Sequence, residues 1–313
     1  LPVETSRLSP ADLRAGTRLA CQVRLREPVQ IEVDPALLNA QSHMAPVLST
    51  RALTPTIKEI VFKVPEDWDF TCAPGGFVLV TARSFRLALG DIDMAPFPRQ
   101  SWSGAGLVAE ARVPVARAYS VASRPQDTGK IVLIVRLALP PPNRPDLPPG
   151  IVSSWLFGLK PGDTALLSGP FGTFCATDSR TEMVLIGGGV GMAPLRAILH
   201  DQLARKSGRR ITYFFGARGP YDLLYADEFG ALADAAPEFT WVPVLSETAE
   251  PGWTGETGFV HEALIRRHLE THPAPEDCEY YLCGPPLMVR AVTAALHETG
   301  VGRAQIFFDD FGG

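Results

Sequence analysis

From residue 183 to the end of the chain, segments that read as buried strands alternate with segments that read as helices, and few folds satisfy that order. Residues 183–186 form a short apolar run entering a glycine cluster, and 193–204 read as a helix. The order continues with strand 211–215, helix 227–236, strand 240–245, helix 260–269, strand 279–282 and helix 286–298. Such alternation builds a parallel sheet with helices on both faces, and ligands lie beyond the carboxyl ends of its strands.

The first half follows another grammar. Proline occupies 29 of 313 positions, so many segments are barred from helix interiors and central strands. Strand-like runs at 51–64 (with Ile57, Ile60 and Phe62), 77–81, 118–122, 130–139 and 165–168 are separated by turn residues such as Pro74-Gly75-Gly76. Short strands of this kind predict an antiparallel barrel. Residues 82–116 show no clean period and read as a long excursion, and PPPNRPDLPPG at 140–150 reads as a rigid loop. The expected fold class is therefore α+β in two domains: an antiparallel barrel, then an α/β parallel-sheet domain. The boundary falls near 173–179.

Composition removes other classes. Apolar residues are 46% and charged residues 20%, ordinary for a globular chain, and a net charge of −5 offers no basic face for nucleic acid. No stretch reaches the ~18 apolar residues that would span a bilayer. Five cysteines, an odd number without any CxxC spacing, argue against a disulfide framework and for a reducing compartment. His268 and His272 are four apart, but Pro273 and the adjoining helix end speak against a metal pair.

Three motifs carry chemistry. Gly187-Gly188-Gly189-Val190-Gly191-Met192-Ala193-Pro194 follows a buried strand and opens a helix, a context in which bare backbone approaches a pyrophosphate. It departs from the Rossmann fingerprint: Pro194 closes the spacing, and Gly216-Ala217-Arg218, not an acid, ends the next strand. Arg117-Ala118-Tyr119-Ser120 pairs with Gly150-Ile151-Val152-Ser153. Here a guanidinium suits a phosphate, a phenol ring a flat cofactor, and a hydroxyl a ring nitrogen. In Cys283-Gly284-Pro285-Pro286 a strand end presents a thiol and prolines open a helix.

In this order the motifs resemble the ferredoxin–NADP reductase superfamily. Together with GPFGTF at 169–174, APEDCEYYLCGPP at 274–286, the proline loop and the terminal DDFGG, they resemble more closely the NADH-oxidising flavoprotein of the sodium-translocating NADH:quinone oxidoreductases. The resemblance implies a remnant of a plant-type ferredoxin domain at 1–40, a FAD-binding barrel at 45–174 and an NADH-binding domain at 177–313. It implies that Arg117, Tyr119 and Ser120 hold the flavin, with Ser120 near N5. Gly150 and Ser153 would cradle the FAD pyrophosphate, and Gly187, Gly188, Gly189, Gly191 and Pro194 that of NADH. Cys283, with Gly284 and Pro285, would lie beside the nicotinamide. Phe311 would cover the flavin face, with Asp309 or Asp310 as the nearby acid. Asp222, where an acid would repel a 2′-phosphate, favours NADH over NADPH, with Arg218 nearby pulling the other way. Cys21 corresponds to the fourth ligand of a [2Fe–2S] cluster whose other three ligands are absent, so a cluster is expected only in a longer chain. The implied activity is hydride transfer from NADH to FAD, then single-electron transfer to an iron–sulfur centre. Its setting would be a membrane complex with iron–sulfur or quinone-reductase partners, on the cytoplasmic side of the bacterial inner membrane. A reductase component of an oxygenase and a non-catalytic assembly protein are the competing readings.

Overall fold

The computed structural model describes residues 40–97, 104, 106–247 and 252–309, with scattered positions between 13 and 32. The chain divides into two compact units, Leu1–Asn39 and Ala40–Gly313. Everything below concerns the second.

Its first sheet is antiparallel. It comprises β1 (Gln41–Thr54), β2 (Ile57–Lys63), β3 (Phe77–Ala82), β6 (Val115–Ser120), β7 (Lys130–Arg136) and β8 (Thr164–Phe171), in the order β6-β3-β8-β1-β2-β7. A bridge between Val121 and Leu133 joins the two outer strands, so the sheet curls toward closure. Alternation fills the interior: in β3, Val78, Val80 and Ala82 are buried while their neighbours are half-buried. Leu133 and Val135 from β7 and Leu167 from β8 meet them in one core. The run read as one strand at 51–64 is a hairpin instead, with Thr54-Pro55-Thr56-Ile57 turning β1 into β2. The excursion at 82–116 holds a two-stranded hairpin of β4 (Phe85–Ala88) and β5 (Val108–Ala111). Helix α1 (Ile151–Gly158) follows the proline loop.

The second sheet is parallel, built from β9 (Met183–Gly188), β10 (Ile211–Ala217), β11 (Phe239–Leu245), β12 (Glu256–Thr257), β13 (Glu279–Cys283) and β14 (Ile306–Asp309). Their order is β12-β11-β10-β9-β13-β14. Helices α2 (Met192–Ala204), α3 (Ala226–Ala235), α4 (Val260–Leu264) and α5 (Pro286–Glu298) connect them. The helix expected at 260–269 is regular only to Leu264, and Ile265–Leu269 continues it as a π turn. Central strand β9 is buried at every residue, as a parallel strand covered on both faces must be. No helix among the described residues is long and apolar enough to cross a membrane.

Candidate functional site

The strand registers assemble the site. At the carboxyl end of the parallel sheet Gly187 lies opposite Cys283, and Cys283 opposite Asp309, so the ends of β9, β13 and β14 stand side by side. From the barrel, Ser120 at the end of β6 is buried and its Oγ donates to Asp309 Oδ2 at 3.3 Å. The last residue of a barrel strand thus touches the last residue of the parallel sheet's edge strand. Residues from the RAYS motif, the glycine cluster, the CGPP motif and the terminal acid converge on one locus, although more than a hundred positions separate Ser120 from the last two.

The glycines meet the locus in different ways. A Cβ on Gly191 would lie 2.1 Å from the Cys283 carbonyl oxygen and 2.6 Å from the Gly284 nitrogen, so the turn before α2 runs directly against the CGPP strand end. On Gly284 it would lie 2.6 Å from Met288 Cε, and on Gly187 2.7 Å from the Tyr213 hydroxyl. Gly188 packs against Met288 and Pro285. Gly189 has open space where a Cβ would project, but its φ of +55° selects glycine by backbone conformation. Pro194 is buried in the first turn of α2. The cluster therefore serves close packing of two backbones as well as whatever the bare loop binds.

Arg117 is exposed on β6, its Nη1 donating to the neighbouring Ala116 carbonyl at 2.8 Å, which leaves most of the guanidinium open. Tyr119 packs against the barrel core, and burial pushes its hydroxyl above the ordinary phenol range, with Arg117 opposing. Gly150 is the N-cap of α1. The Ser153 hydroxyl is engaged internally: it donates to the Gly150 carbonyl at 3.1 Å and accepts from the Ala138 amide at 3.2 Å. Ser153 thereby fastens α1 to the segment after β7. Arg218 and Asp222 lie in the loop after β10; Arg218 is exposed and Asp222 half-buried within a short turn. Pro285 is the N-cap of α5. Cys21, Asp310 and Phe311 lie outside the described residues.

Beside the locus opens a cavity of about 390 Å³, lined by Gly75, Phe77, Gly172, Phe174, Phe308 and Asp309 among others. A Cβ on Gly75 would fall 1.9 Å from the Phe174 carbonyl oxygen, so this wall also requires glycine. Three residues at the site escape sequence reasoning. The Tyr213 hydroxyl is buried beside Gly187 with no hydrogen-bond partner among the described residues, and burial, with Cys283 adding to it, pushes it well above the ordinary phenol range. Tyr221 and Leu287 are 82% and 74% exposed, each a few residues beyond the carboxyl end of β10 and β13 respectively. Large exposed apolar side chains near a glycine turn are a signal, but nothing local distinguishes them from solvated loop residues.

Residues 185–294 match the oxidoreductase NAD-binding domain family and 105–175 the oxidoreductase FAD-binding domain family. The chain is 42% identical over 318 aligned residues to the F subunit of the Na(+)-translocating NADH-quinone reductase of Klebsiella pneumoniae subsp. pneumoniae, covering 100% of this chain and 78% of that one. Among solved structures it is similar to the Amycolatopsis cytochrome P450 reductase GcoB, with TM-score 0.66 and 28% identity over 87% of this chain and 70% of the other. A Neisseria gonorrhoeae ferredoxin NADP+ reductase with bound FAD and NADP shares the fold at TM-score 0.65 and 21% identity, over 87% of this chain and 99% of that one.

Proposed function

The chain belongs to the family of the Na(+)-translocating NADH-quinone reductase F subunits, and on that premise we propose that it is a flavoprotein that oxidises NADH and feeds a sodium-pumping, quinone-reducing complex. One observation carries the reading. The Ser120–Asp309 contact, with the Gly187, Cys283 and Asp309 row, brings the barrel motif and the parallel-sheet motif within reach of one another. Hydride transfer needs that juxtaposition, because donor and acceptor must be held near van der Waals contact.

The residues suit the two cofactors. Arg117 offers an exposed guanidinium for a phosphate, Tyr119 a ring packed at the barrel edge, and the open turn at Gly189 a backbone at the start of α2. Gly150 would place the backbone at the start of α1 against the FAD pyrophosphate, with Ser153 holding that turn in shape. Asp222 and Arg218 would face the adenosine ribose, the acid favouring NADH. When bound, FAD accepts a hydride and releases its electrons one at a time. Ser120 donates its own proton to Asp309, so its oxygen would be left to accept from an N–H donor of a bound flavin, and the pair would form a short route for a proton leaving the site. Cys283 and Gly191 hold the two strand ends together, with Gly284 and Pro285 forming the mouth where the nicotinamide would enter, and Phe311 would cover the opposing face. In a longer chain Cys21 would be a ligand of a [2Fe–2S] centre that would take the electrons singly, as would iron–sulfur or quinone-reductase partners at the cytoplasmic face of the bacterial inner membrane.

Anaerobic mixing of the FAD-loaded chain with NADH is expected to bleach the flavin absorbance within one turnover. A one-electron iron–sulfur acceptor added afterwards should be reduced twice per NADH. Unchanged flavin absorbance overturns the reading. The oxygenase-reductase alternative is weaker, because the full-length match falls on the quinone-reductase protein.

A further inference from the structure

At the opposite end of the parallel sheet, the structure gathers side chains that no part of the flavin reaction uses. Glu182 immediately precedes β9, Cys278 immediately precedes β13, and the Glu279 amide donates to the Glu182 carbonyl at 2.9 Å, so the two strand starts are tied together. The π turn after α4 lays His268 over them. One carboxylate oxygen of Glu182, one ring nitrogen of His268 and Cys278 Sγ lie within 4.8 Å of one another. His268 and Cys278 are buried, and Glu182 is half-buried at the rim, which leaves an entry path.

An outer layer of side chains surrounds the three. His272 stacks on His268 with ring centroids 4.9 Å apart, and its Nε2 lies 3.4 Å from Glu182 Oε2. Its Nδ1 accepts from the Ala274 amide at 3.2 Å, so Nε2 carries the proton that faces Glu182. The Tyr280 hydroxyl lies 3.3 Å from His268 Nε2 and donates to the Pro275 carbonyl at 2.8 Å. It therefore accepts from Nε2–H, which fixes the ring and leaves the other nitrogen with its lone pair. Sequence spacing argued against His268 and His272 as a metal pair; the structure stacks the two rings and brings Glu182 and Cys278 to His268. Long-range packing instead supplies His268 with two partners that no local motif announces.

We propose that Glu182, His268 and Cys278 form a binding site for one zinc ion, with solvent as the fourth ligand and His272 and Tyr280 supporting the ligands from behind. Thiolate, imidazole and carboxylate together match the preferences of zinc, not of calcium or magnesium, which take oxygen ligands. Tetrahedral zinc, with bonds of ~2.0–2.3 Å, holds its ligand atoms roughly 3.3–3.8 Å apart, so the cluster must tighten by about 1 Å. As the Zn–S bond forms, the Cys278 thiol proton passes to solvent. Arg210, whose guanidinium contacts Glu182 Oε2 but is 73% exposed, swings outward from the carboxylate. The ion would pin the starts of two central strands to the π turn, acting as a clip remote from the reacting end.

The test uses the FAD-loaded chain stripped with EDTA and titrated with Co²⁺. One equivalent should develop ligand-field bands and a thiolate-to-cobalt band, both displaced by Zn²⁺. Zinc-edge X-ray absorption of the wild-type chain should show one sulfur at ~2.3 Å with nitrogen and oxygen at ~2.0–2.2 Å. Cys278→Ser should abolish the thiolate band, and His272→Asn should weaken zinc binding by about 10-fold. Zinc should raise the melting temperature while leaving flavin reduction by NADH unchanged. A zinc shell without sulfur in the wild-type chain overturns the proposal even if Cys278→Ser fails to fold, and so does a thiolate band that persists in that variant.

Discussion

Ser120 and Asp309 join the barrel's chemistry to that of the parallel sheet through a 3.3 Å contact. Ser120→Ala is expected to retain FAD, since the substitution removes one buried hydroxyl, but to slow flavin reduction by NADH by about 100-fold, the usual loss for one aligned polar contact at a reacting centre. Stopped-flow absorbance checks it, and unchanged kinetics would remove Ser120 from the mechanism. The glycines make a sharper pair of predictions. Gly191→Ala drives a methyl into the Cys283 carbonyl at 2.1 Å and is expected to cost about 3 kcal/mol, with loss of NADH-driven reduction. Gly189→Ala meets no atom and is destabilised only through its left-handed φ, by about 1 kcal/mol. Urea unfolding of the two variants should rank them in that order; equal costs would mean that the turn is not packed against the CGPP strand end as described.

Helices α2 and α3 are held by a charged network that also reaches the barrel. Arg196 donates to both oxygens of Glu228, at 2.7 and 2.8 Å, and to the Ala122 carbonyl at 2.6 Å, while His200 Nε2 lies 2.8 Å from Glu228 Oε1. Arg196 also lies over the Tyr225 ring, whose hydroxyl donates to Glu59 of β2. Burial alone would raise the Glu228 carboxyl, but the hydrogen bonds from His200 and Arg196 outweigh it and hold it at about 2, against 4.5 for a free glutamate. A carboxylate depressed in the folded state stabilises the fold above the unfolded-state value, and that contribution is lost as pH falls from 4.5 toward 2. Glu228→Gln is therefore expected to cost roughly 3 kcal/mol at neutral pH and to flatten the acid limb of the stability profile. Denaturant melts at neutral and acid pH decide this, and an unaltered acid limb would show that the network contributes nothing to folding. Strands β9 and β10 are legible in the sequence because apolar runs such as 183–186 and 211–215 need no tertiary help to declare themselves. β12 and β14 are not. Glu256 and Thr257 have no periodicity to read, and Ile306–Asp309 becomes a strand only because β13 lies beside it.

At the scale of the molecule, barrel and parallel sheet share apolar packing: Ile57, Ala122, Val132 and Ile134 from the barrel side join Leu185, Leu195 and Tyr213 in one core. The two sheets should accordingly unfold in a single transition, with flavin release and loss of far-ultraviolet ellipticity coinciding. Tyr225→Ala, which removes the Glu59 link and both cation contacts to the ring, is expected to separate them. Coincident curves in that variant would assign the coupling to the apolar core alone. The sequence by itself determined the fold class, the division into barrel and parallel sheet, and the glycine, RAYS and CGPP motifs, because periodicity and backbone permissiveness are local properties written in neighbouring residues. Only the tertiary structure decided that Ser120 meets Asp309, that Gly191 is demanded by the Cys283 carbonyl, and that Glu182, His268 and Cys278 converge. Each of those depends on strand register and crossover, in which residues far apart along the chain are brought within a few ångströms by packing that no short window of sequence contains.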